Sequence, residues 1–297
     1  MTPRVGSDSI VPRDLRSTRT TPPQESTPAS SKLTPMTIDD ATLTTRPLVN
    51  LRDFGGIRVE GGSVRPAVLW RADDLTMSPR EELAALTAQG LSAVLDLRST
   101  PEVAHSPHRL AGELGVAAHH LPLAEMAVHP LALIEVAPSM TSPLDVGRWY
   151  AGLVRSHIHE VAEGLEVIGG STGGVLFHCA AGKDRTGILA AVVLQLLGAD
   201  RSVIVEDYAR TEQNLSAIFD RLAHSAYSRS SHAEIDSDDA RRTAEFFASK
   251  HPLLSAPADS MDSMLTELGG ASGLIDLLKQ QTDPERLAEN LHHKLVA

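Results

Sequence analysis

One residue among 297 is a cysteine, Cys179. A lone cysteine excludes an intrachain disulfide framework, and a reactive thiol with no partner suits a reducing compartment. Long apolar runs are also missing. No stretch of about eighteen apolar residues occurs, so no membrane-spanning helix is expected. The arginines near Met1 are not followed by the apolar core that a secretion signal needs. An excess of positive charge is absent too. The formal net charge is −11, which argues against nucleic acid or an anionic membrane as a general partner. These absences leave the cytoplasm as the expected location, with unconventional export as the alternative.

What is present is a chain 42% hydrophobic, long enough for one large domain or two small ones. Its centre is Val175 to Gly187, VLFHCAAGKDRTG. A short apolar run leads in, and a long apolar helix pattern leads out. Cys179 therefore sits in a strand-to-helix turn. Amides at a helix start point outward unpaired, and the helix dipole places partial positive charge there. A tight loop of successive N–H groups makes an anion nest. Ala180, Ala181 and Gly182 are small enough for the backbone to curl around a ligand. Arg185 can grip two phosphate oxygens with its planar fork, and Lys183 and Thr186 complete the cradle. A cysteine in that field is expected to react as the thiolate. The pattern points to attack on phosphorus through a phosphocysteine.

Other readings of this turn fail on particular residues. A mononucleotide loop needs glycine where Phe177 stands and Ser or Thr where Asp184 stands. Sulfur transfer gives no reason for Arg185 followed by Thr186 and Gly187. An inert buried cysteine gives no reason for the polar residues around it. His178 is expected to brace the loop backbone. Elsewhere the histidines show no ligand pattern: His157 and His159 are two apart and face different sides of a helix. No metal and no other cofactor is expected.

Residues 1–45 are rich in Ser, Thr, Pro and Arg and are read as a disordered tail, with Met36 as an alternative start. Strands are expected at Val68–Arg71, Leu91–Leu97 and Val116–Leu123. The second is a continuous apolar run, typical of a parallel strand covered on both faces. Asp96 and Arg98 lie at its C-terminal end, where ligands bind in open α/β sheets. Ser78 is expected to cap a helix from Pro79 to Gln89. One amphipathic helix is expected from Asp145 to Ile168, a plain turn over Gly169–Gly174, and the helix behind the loop from Gly187 to Gly198. Helical segments follow over 200–222 and 240–250, separated by a polar break at 225–239. Three more, near 259–268, 273–279 and 284–295, close the domain.

The loop HCAAGKDRTG resembles the signature of cysteine-dependent phosphatases. With NLRDFGG at Asn50–Gly56, it resembles more narrowly the bacterial tyrosine and dual-specificity phosphatase family related to mycobacterial phosphatase B. The resemblance implies an α/β domain over 46–297, a mostly parallel sheet wrapped by helices, with a helical lid at about 200–251. It implies that Arg52 and Asp53 help order the loop, and that the stretch carrying Asp96 and Arg98 is a family feature. Many cysteine phosphatases carry a mobile aspartate after the third strand. Here the nearest carboxylate is Glu125, so Asp184, beside Arg185 and within reach of the leaving oxygen, is the better candidate acid. A carboxylate beside a phosphate dianion holds a proton more readily. The expected partner is a phosphotyrosyl protein, met by a monomer, with phosphoserine and phosphothreonine if the pocket is shallow. The segment Ala181–Lys183 also resembles phosphoinositide phosphatases, an alternative substrate class. A phosphate-recognition module with little turnover is the alternative outside catalysis.

Overall fold

The computed structural model describes residues 45–125, 130–225 and 237–297. The expected tail falls outside the described residues almost entirely, as does most of the polar break at 225–239.

The strands are β1 (Arg52–Asp53), β2 (Arg58–Val59), β3 (Gly62–Ser63), β4 (Leu69–Ala72), β5 (Leu91–Asp96), β6 (Ala117–His120) and β7 (Gly174–His178). Five form one sheet in the order β1-β4-β7-β5-β6, and β2 pairs with β3 in a separate ribbon. All neighbours in the large sheet run parallel except β1, which is antiparallel to β4. This is the α/β architecture that the apolar runs imply. Side chains alternate along β7. Val175 and Phe177 join the larger core, while Leu176 joins a smaller one with Trp70, Val94 and Leu83. Burial of both faces explains why β5 and β7 read as continuous apolar runs.

The helices, in order, are α1 (Arg80–Ala88), α2 (Thr100–His105), α3 (Arg109–Glu113), α4 (Pro130–Val136), α5 (Pro143–Ser156), α6 (Ile158–Gly170) and α7 (Asp184–Leu196). After them come α8 (Arg201–Ala209), α9 (Leu215–Ala223), α10 (Ser237–Phe247), α11 (Ala258–Glu267), α12 (Gly270–Leu278) and α13 (Pro284–Leu295). The larger core holds α7 on one face of the sheet. Every residue from Arg185 to Leu194 is buried, so α7 is apolar nearly all round, as a central helix must be.

Several expectations are corrected. Ser78 does not cap α1. Pro79 takes the cap position and makes no side-chain bond, and the buried Ser78 hydroxyl has no partner among the described residues. The helix expected over 145–168 is two helices, α5 starting at Pro143 under a Ser142–Asp145 capping box. The break is at His157, with φ −119° and ψ 31°. It is invisible in the pattern because Val154 and Ile158, buried on either side of it, are four residues apart and keep the helical spacing. The helix behind the loop begins at Asp184 rather than Gly187, which places Asp184 and Arg185 in its first turn. The expected glycine turn is shorter than 169–174, because Gly169 and Gly170 finish α6 and Gly174 opens β7. A Cβ on Gly174 would lie 2.4 Å from the Trp70 ring. Lys294 holds that turn, its ammonium donating to the carbonyls of Ser171 (2.6 Å) and Gly173 (2.5 Å).

Candidate active site

The register brings the site together. Ala72 and Asp96 are both paired with His178, so β4, β5 and β7 end level. Asp73, Leu97 and Cys179 emerge side by side at the C-terminal edge, with Arg98 one residue further on, where open α/β sheets bind ligands.

From Cys179 to Lys183 the chain curls between β7 and α7, and Cys179 is buried. Each carbonyl of the curl meets a donor from outside it. The Cys179 carbonyl accepts from His178 Nδ1 at 3.0 Å, and that of Ala180 from the Asp74 amide at 3.1 Å. The Gly182 carbonyl accepts from Arg71 Nη2 at 2.8 Å and from Asn50 Nδ2 at 3.0 Å. Among the described residues, the amides of residues 180–183 donate to no protein acceptor. A loop with its carbonyls held from outside and its amides unspent is an anion nest. Gly182 makes the turn possible. Its φ is +65°, and a Cβ there would lie 2.5 Å from the Ala72 carbonyl oxygen.

Arg185 lies under the nest and is buried. Its guanidinium forks onto Glu102, at 2.7 Å and 3.0 Å. Glu102 sits in a capping box at the start of α2, where it accepts from the Ser99 amide and hydroxyl, both at 2.7 Å. Burial pushes the Glu102 carboxyl up, but the Arg185 charge prevails and lowers it to about 2. Sequence reasoning passed over Glu102. Its signal was the Ser-x-x-Glu spacing at Ser99–Glu102.

Asp96 and Arg98 pair with each other. Arg98 Nε and Nη2 reach Asp96 at 2.9 Å and 2.7 Å, and Arg98 Nη1 reaches Asp74 at 3.1 Å. His108 Nε2 stands 3.0 Å from Asp96 Oδ2 and 2.8 Å from His178 Nε2. Burial pushes His178 down to about 4, so it stays neutral and its Nδ1–H donates to the loop. Burial raises Asp96, yet the facing His178, His108 and Arg98 hold it far below the usual carboxylate range. The ligand atoms of Asp96, His108 and His178 lie within 4.8 Å of one another. The Arg98 guanidinium already bound to Asp96 opposes a second cation there, so the cluster reads as a hydrogen-bonded brace behind the cysteine.

A second brace stands on the β4 side. Asp207 on α8 receives Arg71 Nη1 at 2.5 Å and Arg52 Nε at 2.8 Å. Burial raises its carboxyl, but the two guanidiniums win and keep it low. Arg52 also donates to Asn50 Oδ1 at 2.8 Å, and Asn50 holds the loop. Asp53 lies elsewhere: its carboxylate accepts from the Gly55 amide at 2.8 Å and the Ala67 amide at 2.7 Å, which shapes its own turn. The helix carrying Asp207 is thus tied to β1 and β4 beneath the loop.

Asp184 occupies the first helical position after the curl, with its side chain 24% exposed. Tyr150 donates its hydroxyl proton to Asp184 Oδ1, and the Tyr208 hydroxyl is 3.0 Å from that of Tyr150. Lys183 Nζ lies 3.1 Å from the same carboxylate oxygen. That ammonium also donates to the carbonyls of Leu253 and Ser255, so it is turned to the 253–255 segment rather than to the nest. Thr186 is buried, and its hydroxyl has no partner among the described residues. Glu125 accepts from the Thr100 amide at 2.9 Å and caps α2. The loop that follows it, 126–129, lies outside the described residues.

At this turn a cysteine stands beside a helix N-terminus, with the amides of residues 180–183 unspent among the described residues and Arg185 buried close by, an arrangement suited to an anion. Residues 43–292 match the model of the tyrosine phosphatase family, and the chain belongs to that family. A tyrosine-protein phosphatase of Nostoc commune is 35% identical over 150 residues, 49% of this chain and 47% of that protein. The chain thus spans about half the length of that relative. The triple specificity protein phosphatase PtpB of Mycobacterium tuberculosis is 27% identical over 203 residues, covering 60% of this chain and 73% of PtpB. A putative tyrosine-protein phosphatase of Cupriavidus necator is 31% identical over 189 residues, 59% of this chain and 64% of that protein. Among solved structures, P. aeruginosa TpbA in complex with pTyr superposes with a TM-score of 0.26 and 16% identity, over 69% of this chain and 88% of TpbA. No helix among the described residues is long and apolar enough to cross a membrane.

Proposed function

We propose that residues 46–297 form a metal-independent phosphatase that hydrolyses phosphotyrosine in proteins through a phosphocysteine. One observation carries this reading: Cys179, a curl with its carbonyls turned outward, and buried Arg185 converge at one strand-to-helix turn. Cys179 Sγ attacks phosphorus as the P–O bond to the tyrosyl oxygen breaks. Asp184 gives that oxygen its proton, so the leaving group departs as a neutral phenol. Arg185 and the amides of residues 180–183 bind the equatorial oxygens, where charge spreads in the transition state. Water then attacks phosphorus, Asp184 takes its proton, and the S–P bond breaks to release phosphate and the thiolate. His178, Asp96 and Arg98 on one side, and Arg52 with Asn50 on the other, hold the curl in shape.

The chain works as a monomer in a reducing compartment such as the cytoplasm, where a thiolate without a second cysteine escapes oxidation. The lid is formed by α10 and the segment that follows it. His251 Nε2 stands 3.0 Å from the Ala137 carbonyl, and Lys183 ties the 253–255 backbone to the loop. A phosphoinositide phosphatase would need Lys183 free to meet ring phosphates. Its engagement with two carbonyls favours the protein substrate. The test is phosphate release from phosphotyrosine, phosphoserine and phosphothreonine peptides and from phosphoinositides, with Cys179→Ser as control. Preference for phosphotyrosine, abolished by the substitution, is expected. Faster release from phosphoinositides would reassign the substrate. No cysteine-dependent release, together with tight phosphopeptide binding, would make the chain a recognition module.

A further inference from the structure

We propose that Tyr150 is a positioning residue for the acid step: its hydroxyl fixes Asp184 by one carboxylate oxygen and leaves the other to carry the transferred proton. The inference rests on the reading of Asp184 as the proton donor to the leaving oxygen.

Tyr150 comes from α5, thirty-four residues before Asp184, and its side chain is fully buried. Burying a phenolic hydroxyl is costly unless it is hydrogen-bonded. Here the partner is no core group but the Oδ1 of the residue that opens α7. Tyr208 on α8 completes a chain, its hydroxyl 3.0 Å from that of Tyr150. A carboxylate only accepts, so the direction is fixed: Tyr208 donates to Tyr150, and Tyr150 donates to Asp184. Each bond in such a chain polarises the next.

Both phenols are held in their neutral form. Burial raises Tyr150 well above the usual phenol value, and the Asp184 charge adds to it; burial likewise raises Tyr208. Tyr150 therefore remains a donor throughout the working pH range and does not compete as an acid. Slack is removed on the far side as well. The Tyr208 ring packs against the first turn of α7, so closely that a Cβ on Gly187 would lie 2.9 Å from it.

The consequence is a division of labour within one carboxyl group. Oδ1 is occupied by Tyr150 and approached by Lys183 at 3.1 Å. Among the described residues, Oδ2 has no hydrogen-bond partner. The side chain is partly exposed, so Oδ2 is the oxygen free to hold the proton and meet the leaving group. Without Tyr150, the Lys183 ammonium would be the remaining restraint on Asp184 among the described residues, and the carboxylate could turn about its side-chain bonds. Geometry lost at an acid costs rate at the proton transfer and little in binding.

The experiment compares two aryl phosphates on the full chain. p-Nitrophenolate leaves without a proton, whereas phenolate needs one. For Tyr150→Phe, kcat on phenyl phosphate is expected to fall about 10–100-fold, less than the roughly 100–10,000-fold that a general acid itself contributes, as fits a residue that only positions it. The loss on p-nitrophenyl phosphate is expected to be at least about tenfold smaller, with KM little changed for both. Asp184→Asn is run beside it and should show the same selectivity, more strongly. Adding Tyr150→Phe to Asp184→Asn should cost nothing further, because the two act as a unit. If Asp184→Asn loses equally on both substrates, the reading of Asp184 as the acid fails. If Asp184→Asn is selective but Tyr150→Phe loses equally on both, or on neither, the positioning role is overturned. Tyr208→Phe guards against a packing artefact, and a weaker loss with the same selectivity is expected.

Discussion

Arg185 shows what a single residue demands of its neighbours. A guanidinium taken out of water needs a counter-charge and acceptors in fixed places. Glu102 supplies both, and its own place is set by the Ser99 cap. Removing Glu102 would leave a buried charge unpaired, which typically costs about 3–5 kcal/mol. Glu102→Ala is therefore expected to lower unfolding stability by about that amount in a urea titration. It should also reduce phosphate release by up to about 100-fold as Arg185 loses its aim. An unchanged urea midpoint would show that water or another acceptor replaces the carboxylate. At this scale the sequence was half legible. Cys179 and Arg185 stand in one motif, and that motif implies the anion nest. Glu102, Asn50, Asp207 and Tyr150 lie 28 to 129 positions from Cys179 and act through pairings that no local pattern encodes. Asp53 is the opposite case: it shares a motif with Arg52, yet successive strand residues face opposite ways, and it serves only its own turn.

The strand, curl and helix from Gly174 to Leu196 work as one element. β7 delivers the cysteine, the curl exposes amides, and α7 supplies the dipole. Gly182 is the joint, and it is sterically committed. An alanine there would carry the cost of a left-handed conformation, about 1–2 kcal/mol. Its Cβ would also press on the Ala72 backbone at 2.5 Å. Gly182→Ala is expected to lower the melting temperature and to abolish phosphate release, because the curl must open to relieve the clash. Wild-type turnover in that variant would mean the curl has another stable form. Elements of this kind are easy to read when apolar runs and a motif coincide, as they do here. The division of α5 from α6 was not readable. It interrupts the helical dihedrals at His157 without changing the period of the buried residues on either side.

Across the whole molecule, buried charge sets the response to acid. His178 is neutral in the fold and titrates at about 4, below its ordinary value near 6.5. Above about pH 6.5 it is neutral whether the chain is folded or unfolded, and it costs nothing. Below that the unfolded chain takes up a proton that the folded chain refuses, so stability falls until about pH 4 and then levels for this group. The span corresponds to about 3 kcal/mol. Glu102 acts lower down: its contribution is complete above its unfolded value near 4.5 and is lost as the pH falls toward 2. Urea unfolding followed from pH 7 to pH 4 should show the first loss, and His178→Gln should flatten it. A flat wild-type profile would mean that the Asp96 cluster holds His178 differently.

The Asp207 clamp has a further meaning in time. It joins α8 to Arg52 and Arg71, partners 155 and 136 positions away along the chain. Contacts so distant in sequence close late, because the entropy of a long loop must be overcome first. During synthesis the cysteine emerges before Asp207, and the curl that activates it lacks one of its braces until α8 has followed. The fold thus sets an order of assembly: the curl around Cys179 reaches its braced form only after α8 has followed it into place.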